Sequence, residues 1–289
     1  MRGLLKSLRP LHWSKNLLVF APVLLAHETS SDALLAVLLA FTAFCLLASG
    51  TYLLNDVRDR EHDRSHPKKR FREIASGGVA PLTALIAGVL LIASGVAIAA
   101  SVSLELLWYL AGYALLSLTY SFVLKRRVFL DVLALSALWT IRVLAGGVAA
   151  GVEVSDWLLA LSVFLFVGLA LLKRYADLGL HTAEVNVVPG RGYMPGDRDL
   201  VRSMGVASSY LAVLVLALYL SSPKVAELYG SPRLLWLICP LLLYWIAHMW
   251  FLAHRGEIQD DPIVVATRDP ASYVVGILIM VIAWLAVQP

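Results

Sequence analysis

The stretch LLAVLLAFTAFCLLASGTYLL (Leu34–Leu54) contains no charged residue, and it runs directly into NDVRDREHD (Asn55–Asp63), which is mostly charged. A helix of about 20 apolar residues, each adding roughly 1.5 Å, crosses the ~30 Å hydrocarbon core of a membrane. The sequence therefore predicts a membrane-spanning helix whose charged end leaves the bilayer at Asn55.

Apolar blocks of similar length recur along the whole chain of 289 residues. The composition is 60% hydrophobic and 15% charged, whereas a soluble domain carries about 25% charged residues. The blocks are continuously apolar and lack the period of two that barrel strands show, which predicts helices. We therefore expect an all-α membrane protein with nine transmembrane helices: Ser14–Ala26, Leu34–Leu54, Pro81–Ser101, Leu104–Leu124, Val128–Ala149, Trp157–Leu172, Val206–Leu220, Leu234–Leu252 and Tyr273–Val287.

The 24 Lys and Arg residues are divided very unevenly between the two sets of loops. Only Lys224 and Arg233 fall on one side, and Arg142 lies inside a block. Because basic loops stay in the cytoplasm, we expect a cytoplasmic N-terminus, an external C-terminus and a multi-pass protein of the inner (plasma) membrane. Residues 1–289 then form a single integral membrane domain, with large cytoplasmic loops at 55–80, 173–205 and 253–271.

The first 26 residues also resemble a secretory signal, because a basic stretch precedes a short apolar run. That basic stretch already contains Leu11 and Trp13. We therefore favour a retained first helix that begins in an amphipathic segment.

Three aspartates follow the second block at helical spacing. Asp56, Asp59 and Asp63 share one face if the helix continues, and Asn55 lies one turn before Asp59. Carboxylates at a helix C-terminus oppose the macrodipole, so three of them there suggest a function. The pattern suits Mg²⁺, which takes one or two carboxylates and completes its shell with water and substrate phosphates. The alternative is a salt-bridged helix end, in which Asp56 pairs with Arg60.

A basic run, His66-Pro67-Lys68-Lys69-Arg70-Phe71-Arg72, follows the acids at once. By itself such a run anchors a loop to anionic lipid. Beside a metal-binding carboxylate site, Lys68, Lys69 and Arg70 are also suited to hold the phosphates that the metal bridges. We favour the second interpretation.

Charged residues also mark later blocks. The sixth block ends in Lys173 and Arg174, with Asp177 one turn on; this is either a second phosphate-facing site or an ordinary basic helix end. Arg142 lies deep in its block, where a charge is costly unless it faces a partner or a wet cavity. Lys125 belongs to a short basic turn that anchors the topology and is close enough to the interface to contact a lipid phosphate.

The order Asn-Asp-x-x-Asp-x-x-x-Asp at the end of the second of nine helices resembles the UbiA-type intramembrane prenyltransferase superfamily. Further motifs are similar to its decaprenyl-phosphate phosphoribosyltransferase branch. They are Arg9-Pro10 with Trp13-Ser14-Lys15-Asn16, His66–Arg70 with Ile74-Ala75-Ser76-Gly77, Tyr120-Ser121 with Leu124-Lys125, Arg142-Val143 with Ala145-Gly146, and Lys173–Asp177.

The resemblance implies a helical bundle around a central cavity that opens to the cytoplasm. It also implies that Asp56, Asp59 and Asp63 are the catalytic, Mg²⁺-holding acids and that Asn55 orients them. The remaining motif positions are expected to contact substrate: Lys15, Asn16, Lys68, Lys69, Arg70, Tyr120, Lys125, Arg142, Lys173, Arg174 and Asp177.

Two departures from the family pattern bear on the substrates. Glu73 stands where the branch usually has proline, and the second aspartate-rich motif, Asp-x-x-x-Asp, is absent after Asp177. The second departure weakens the case for an aromatic prenyltransferase that uses a polyprenyl diphosphate donor, which remains the first alternative. A transporter is the second alternative, although its site would normally lie at the membrane midplane.

The predicted reaction is transfer of 5-phosphoribosyl from phosphoribosyl diphosphate to a polyprenyl (decaprenyl) phosphate, as in arabinan and cell-wall precursor synthesis. The expected cofactor is Mg²⁺, and the expected partners are these two substrates and the membrane, with no nucleic acid. A homo-oligomer is compatible with the sequence, as is a lid role for residues 181–205.

Overall fold

The structure is a computed structural model that describes residues 2–65, 69–180, 192–258 and 261–287. The described part of the chain is all-helical. Its α-helices are α1 (Arg2–Ser7), α2 (Ala21–Leu25), α3 (Ser31–Arg58), α4 (Arg60–Ser65), α5 (Pro81–Val102), α6 (Leu104–Phe122), α7 (Leu130–Ala150), α8 (Asp156–Gly179), α9 (Arg198–Leu220), α10 (Pro223–Leu228), α11 (Ile238–His254), α12 (Pro262–Ala266) and α13 (Pro270–Val287). Five 3₁₀ segments complete it: Pro10–Phe20, Lys69–Phe71, Leu124–Arg126, Pro195–Asp197 and Pro232–Leu237.

Seven helical stretches among the described residues are long and apolar enough to cross a membrane, judged by length and composition. This is the pattern of a multi-pass membrane protein. They are Ser31–Arg58, Pro81–Val102, Leu130–Ala150, Asp156–Gly179, Pro195–Leu220, Pro232–His254 and Pro270–Val287. Of the nine predicted blocks, the two outside this set correspond to α6 and to the first block.

The first block is not a long α-helix. Pro10–Phe20 is a 3₁₀ helix that runs directly into α2, Ala21–Leu25. A 3₁₀ helix rises about 2.0 Å per residue against about 1.5 Å in an α-helix, so the two segments together span roughly 30 Å. This segment begins at Pro10, four residues before the predicted block, and as a plain α-helix its 16 residues would span only about 24 Å.

The chain divides into two compact units, and the first comprises residues 1–115 and 141–154. Its central pair is α3 and α5, which approach closely at small residues. A Cβ on Gly50 would lie 2.7 Å from the carbonyl oxygen of Gly88, and one on Gly95 would lie 2.9 Å from that of Ala43. Such small-residue contacts drive helix association in membranes. A buried cluster of Leu53, Ile74, Val79 and Ala84 packs beneath the charged end of α3.

The second unit comprises residues 116–140 and 155–289, and its central pair is α8 and α9. Gly168 of α8 leaves no room for a Cβ against Ser209 of α9. The Ser208 hydroxyl of α9 donates to the carbonyl of Phe164, 2.8 Å away. Buried serines and glycines therefore hold this pair together, as glycines hold α3 and α5.

Helices α3 and α8 begin in the same way. The Ser30 hydroxyl accepts from the Ala33 amide at 3.4 Å, and the Ser155 hydroxyl accepts from the Leu158 amide at 3.2 Å. An aspartate follows in each first turn, Asp32 and Asp156, where it favours the positive end of the helix dipole. Both helices then run to a charged C-terminal end, where five of the predicted site residues lie: Asn55, Asp56, Lys173, Arg174 and Asp177.

Candidate active site

Two buried carboxylates meet one guanidinium at the end of α3. Arg72 Nη1 lies 3.0 Å from Asp56 Oδ1 and 2.7 Å from Asp63 Oδ2. Arg9 Nη2 donates to both oxygens of Asp56, at 2.8 and 3.0 Å. We call Asp56, Asp63, Arg9 and Arg72 the acidic cluster. Charge-assisted contacts of this kind are what allow carboxylates to be buried at all.

The helical path explains why Asp56 and Asp63 meet. Although α3 ends at Arg58, the Asp59 amide still donates to the Asn55 carbonyl at 2.9 Å, and the Asp63 amide donates to the Asp59 carbonyl at 2.8 Å. The i→i−4 pattern thus continues into α4 and carries both acids to one side. The chain returns through the turn Lys69–Phe71, which brings Arg72 back to them.

Arg9 reaches the cluster from the N-terminal segment. It has a left-handed backbone (φ 52°) just before the 3₁₀ helix, and its guanidinium stacks 4.7 Å from the ring centre of Tyr52. The segment is fixed close by, because Trp13 Nε1 donates to the Ser49 hydroxyl at 3.0 Å. Arg9 is thereby placed next to Asp56 by residues of α3 itself.

The other predicted residues at this end of α3 have different surroundings. The Asp59 carboxylate accepts from the Arg58 guanidinium at 2.8 and 3.1 Å and is partly exposed. Asn55 is half-buried, and Arg70 is exposed and stacks 4.8 Å from the ring centre of Phe71. Lys68 and the side chain of Lys69 lie outside the described residues.

Carboxylates and an amide oxygen are the ligands that Mg²⁺ prefers, so the donor set at this end of α3 fits that ion. The described residues nevertheless include no group of three His, Cys, Asp or Glu side chains close enough together to hold a metal. The Arg72 guanidinium supplies the positive charge between Asp56 and Asp63 instead. A metal bound by both carboxylates therefore requires Arg72 to move aside or to share them.

The end of α8 carries the opposite arrangement, with a buried arginine between acids. Arg174 Nε lies 2.6 Å from Asp131 Oδ2, an ion-pair contact without hydrogen-bond alignment. Arg174 also pairs with Asp177 and donates to the Tyr120 hydroxyl at 3.1 Å. We call Arg174, Asp131, Asp177 and Tyr120 the cationic cluster. Three of its four members, Arg174, Asp177 and Tyr120, are predicted site residues that the fold brings together.

Tyr193 fixes the acid of the cationic cluster. Its hydroxyl donates to Asp131 Oδ1 at 2.8 Å and accepts from the Phe129 amide at 2.9 Å. Phe129 has a left-handed backbone (φ 66°), a conformation that costs energy for a bulky residue and needs such support. Burial raises the pKa of Tyr193, so the phenol stays neutral and remains a donor to Asp131.

Lys173, the neighbour of Arg174, is paired with an acid from much later in the chain. Its Nζ lies 3.0 Å from Asp261 Oδ2. Asp261 is buried, and its other oxygen accepts from the Ile263 amide to cap α12. Lys173 therefore ties α8 to the start of α12.

Arg142 has polar and aromatic partners inside the first unit. Its Nε donates to Asn16 Oδ1 at 2.7 Å and its Nη2 donates to the Tyr113 hydroxyl at 2.9 Å. The guanidinium also lies 4.6 Å from the ring centre of Tyr113. Asn16 is itself buried and donates to Cys45 Sγ at 3.2 Å. These contacts account for an arginine at this depth. The sequence left two alternatives for Arg142, a polar partner or a wet cavity, and the structure provides the partners.

The two remaining predicted residues, Lys15 and Lys125, lie in 3₁₀ segments. Lys15 is half-buried in Pro10–Phe20, immediately before Asn16. Lys125 is half-buried in the turn Leu124–Arg126, which leads to Phe129 and Asp131.

Residues 16–265 match the profile of the UbiA prenyltransferase family. The chain belongs to the UbiA prenyltransferase family. The resemblance inferred from the aspartate spacing is thereby confirmed, and the family is a class of membrane-embedded transferases. Three relatives of known sequence are similar to this chain over most or a large part of its length.

The chain is 38% identical to the nodulation protein NoeC of Azorhizobium caulinodans over 93% of this chain and 88% of that one. It is 38% identical to the uncharacterized protein y4nM of Sinorhizobium fredii over 95% of this chain and 54% of that one. It is 44% identical to the decaprenyl-phosphate phosphoribosyltransferase of Mycolicibacterium smegmatis over 62% of this chain and 58% of that enzyme. The chain thus spans little more than half the length of the last two relatives.

Solved UbiA structures share the fold. The UbiA homolog of Archaeoglobus fulgidus, in a structure bound to GPP and Mg²⁺, superposes with a TM-score of 0.68 over 99% of both chains, at 15% identity. The UbiA homolog of Aeropyrum pernix superposes with a TM-score of 0.61 over 95% of this chain and 96% of that one, at 18% identity. At such low identity these structures establish the UbiA fold alone.

Sequence reasoning missed several charged partners in this UbiA family member. Asp131 is an isolated acid at the start of α7, where the helix dipole already explains it, and Tyr193 carried no signal. Lys6 Nζ lies 2.8 Å from Glu73, the acid that stands where the branch usually has proline. The sequence offered one indication of these partners: an arginine that is buried, such as Arg174, requires carboxylates from elsewhere in the chain.

Proposed function

We propose that this UbiA family member transfers 5-phosphoribosyl from phosphoribosyl diphosphate to a polyprenyl phosphate and releases pyrophosphate. One observation carries the proposal, namely the buried carboxylates Asp56 and Asp63 that share the partly exposed Arg72. Such a site offers both carboxylates for a metal and a guanidinium for phosphate oxygens. The similarity to decaprenyl-phosphate phosphoribosyltransferases supports the choice of substrates.

The chemistry is substitution at the anomeric carbon of the donor. A phosphate oxygen of the lipid forms the new C–O bond as the bond to pyrophosphate breaks. The nucleophile is already anionic at neutral pH, so the protein needs no strong general base. Negative charge builds on the departing pyrophosphate, and Arg72 and Arg9 are placed to stabilise it once they are released from Asp56.

Bound Mg²⁺ would neutralise the diphosphate and polarise its bridging oxygen. Asp56, Asp59 and Asp63 would hold the ion, and Asn55 would orient that end of α3. The substrate-binding set proposed from the motifs stays as predicted: Lys15, Asn16, Lys68, Lys69, Arg70, Tyr120, Lys125, Arg142, Lys173, Arg174 and Asp177. Within it, Lys173, Arg174 and Arg142 would act on substrate only by leaving the partners described above.

The proposed topology has nine crossings within a single integral membrane domain of the plasma (inner) membrane. It adds α6 and the 3₁₀–α segment from Pro10 to Leu25 to the seven long apolar helices. The length of that segment and the basic residues of the large loops support an arrangement with a cytoplasmic N-terminus and an external C-terminus. The acidic cluster, and with it a cavity open to the cytoplasm, would then lie on the cytoplasmic side.

A label-transfer assay tests the reaction directly. Purified protein in detergent, with Mg²⁺ and polyprenyl phosphate, receives phosphoribosyl diphosphate labelled in the ribose. We expect label in the lipid phase, equimolar pyrophosphate release and full inhibition by EDTA, with no membrane gradient needed.

A parallel reaction supplies labelled polyprenyl diphosphate with 4-hydroxybenzoate. Prenyl label on the aromatic ring, with none of the ribose label in lipid, would overturn the choice of substrates and favour an aromatic prenyltransferase. Uptake that depends on a gradient and releases no pyrophosphate would favour a transporter.

A further inference from the structure

A groove runs between α9 and α11 in the second unit. Its cavity volume is about 300 Å³, at the lower end of the range for ligand pockets. Trp250 lies against Gly205 so closely that a Cβ there would be 2.6 Å from the indole. The ring therefore forms part of the groove floor. We call this the α9–α11 groove; it is lined by Tyr175, Arg202, Val206, Tyr210, Ala247, Trp250, Phe251 and His254.

The groove has one polar end and one apolar end. Arg202 lies one turn into α9 and His254 is the last residue of α11, so both stand at the same end. His254 Nδ1 is 2.9 Å from the Tyr175 hydroxyl. Tyr210 lies two turns further along α9, about 12 Å from Arg202 at 1.5 Å per residue. Between them the walls are apolar and aromatic.

The polar end carries arginines whose ion pairs are exposed or, among the described residues, not formed. Arg202 pairs with Asp199 at 3.2 Å, but both side chains are well exposed, and such pairs contribute little. Arg198 stacks 4.3 Å from the ring centre of Tyr175, and its buried Nε has no hydrogen-bond partner among the described residues. Arg255 adds a further exposed cation, and Glu257 an exposed acid, just beyond α11.

We propose that the α9–α11 groove binds an anionic glycerophospholipid of the surrounding membrane. The headgroup phosphate is held at Arg202, and one acyl chain follows Val206, Ala247 and Phe251. The arginines at the polar end favour an anionic headgroup, and the apolar walls favour contact with an acyl chain. The groove shares no residue with the acidic or the cationic cluster, and the proposal does not depend on the proposed reaction.

The dimensions of the groove fit part of one acyl chain of a phospholipid, since its cavity volume is about 300 Å³. The groove is also open along its length, because Tyr210 and Phe251 at its rim are exposed. An acyl chain that remains continuous with the bilayer fits such an opening.

Photo-crosslinking in detergent tests the site on the full-length protein. Phosphatidylglycerol with a diazirine in one acyl chain is irradiated with the protein, and the labelled peptides are mapped by mass spectrometry. We expect label on residues 202–210 and 247–254, displaced by unlabelled phosphatidylglycerol. Arg202→Gln should raise the displacing concentration about fivefold, the effect of one interfacial charge.

The matched control is Arg268→Gln, which removes another exposed arginine and should leave displacement unchanged. Ala247→Phe fills the groove and should abolish the label; its unfolding temperature without lipid shows whether the variant is folded. Label confined to other helices would overturn the proposal, as would equal displacement by phosphatidylcholine or by inorganic phosphate. Displacement by polyprenyl phosphate at lower concentration would assign the groove to the acceptor instead.

Discussion

The acidic cluster at the end of α3 and the cationic cluster at the end of α8 are inverse arrangements of the same groups. In the first, the buried Asp56 lies between Arg9 and Arg72; in the second, the buried Arg174 lies between Asp131 and Asp177. Both follow long apolar helices that begin with a serine cap and an aspartate. Similar helices thus end in a buried acid between arginines in one unit and in a buried arginine between acids in the other.

The two clusters differ in how firmly their counter-charges are held. The side chains of Arg9 and Arg72 are 26% and 31% exposed. In the cationic cluster, Arg174 and Asp131 are 1% and 0% exposed, whereas the second acid, Asp177, is 39% exposed. An arginine at the surface exchanges a carboxylate for water or phosphate at low cost, but a buried pair cannot lose one partner without leaving a buried charge. We infer that the acidic cluster is built to rearrange and that the buried Arg174–Asp131 pair of the cationic cluster stays fixed.

The largest expected effect is on turnover. Asp56→Asn should lower the rate of ribose-label transfer by at least about a thousandfold, because it removes one charged ligand of the metal and pyrophosphate site. The unfolding temperature should change little, since Arg9 can reach solvent and Arg72 keeps Asp63 as a partner. Glu61→Gln is the matched control, as Glu61 is exposed and pairs with the nearby Arg60 and Arg64. Activity within tenfold of wild type in Asp56→Asn would contradict a chemical role for the acidic cluster.

The next effect is on stability and is expected in the other cluster. Asp131→Asn leaves Arg174 buried with less compensating charge, and breaking a buried pair costs about 3–5 kcal/mol. Unfolding in detergent, followed by circular dichroism, measures the loss. Asp199→Asn removes an exposed carboxylate from the same unit and should cost under about 1 kcal/mol. If both variants were equally stable, the distinction between a fixed and a mobile cluster would fail.

A smaller loss of stability is expected when the hydroxyl of Tyr193 is removed. Tyr193→Phe removes a donor to Asp131 and an acceptor for the Phe129 amide, which should cost about 1–3 kcal/mol because both groups stay buried. The same unfolding assay detects it. Tyr210→Phe makes the same chemical change at an exposed position and should have almost no effect; a similar loss in the two variants would count against Tyr193 as a support of the cationic cluster.

The smallest effect comes from an acid that belongs to neither cluster. Burial alone would raise the pKa of Asp269, but hydrogen bonds from His248 and from Ser272 outweigh it and hold that pKa below its ordinary value. A carboxyl with a lowered folded pKa stabilises the protein above its unfolded pKa, and this contribution disappears as the pH falls through the folded pKa.

The wild-type protein should therefore be slightly more stable than Asp269→Asn at pH 7, and the difference should shrink as the pH falls below about 4. Unfolding temperatures of both proteins from pH 7 to pH 3 measure this, with Glu257→Gln as an exposed control. A difference that stays constant over that range would show that Asp269 acts through shape rather than charge.

The apolar blocks, the aspartate spacing and the family resemblance could be read from the sequence, because each is a local pattern. The continued helical path from Asn55 to Asp63 was predictable for the same reason. The direction of each carboxylate was not: Asp63 meets Arg72, while Asp59, midway between the two buried acids, turns to Arg58. Helical spacing predicts which side of the helix a carboxylate lies on, but the position of the nearest arginine decides where that carboxylate turns.

The sequence by itself determined that this chain lies in a membrane and that its charges collect at helix ends, because apolar length and charge position are properties of each segment alone. Only the tertiary structure decided the partners, as when Lys173 meets Asp261 and Arg174 meets Asp131 across long stretches of chain. A buried charge must find its opposite wherever the packed helices place one. That choice depends on how distant segments meet, which no local pattern records.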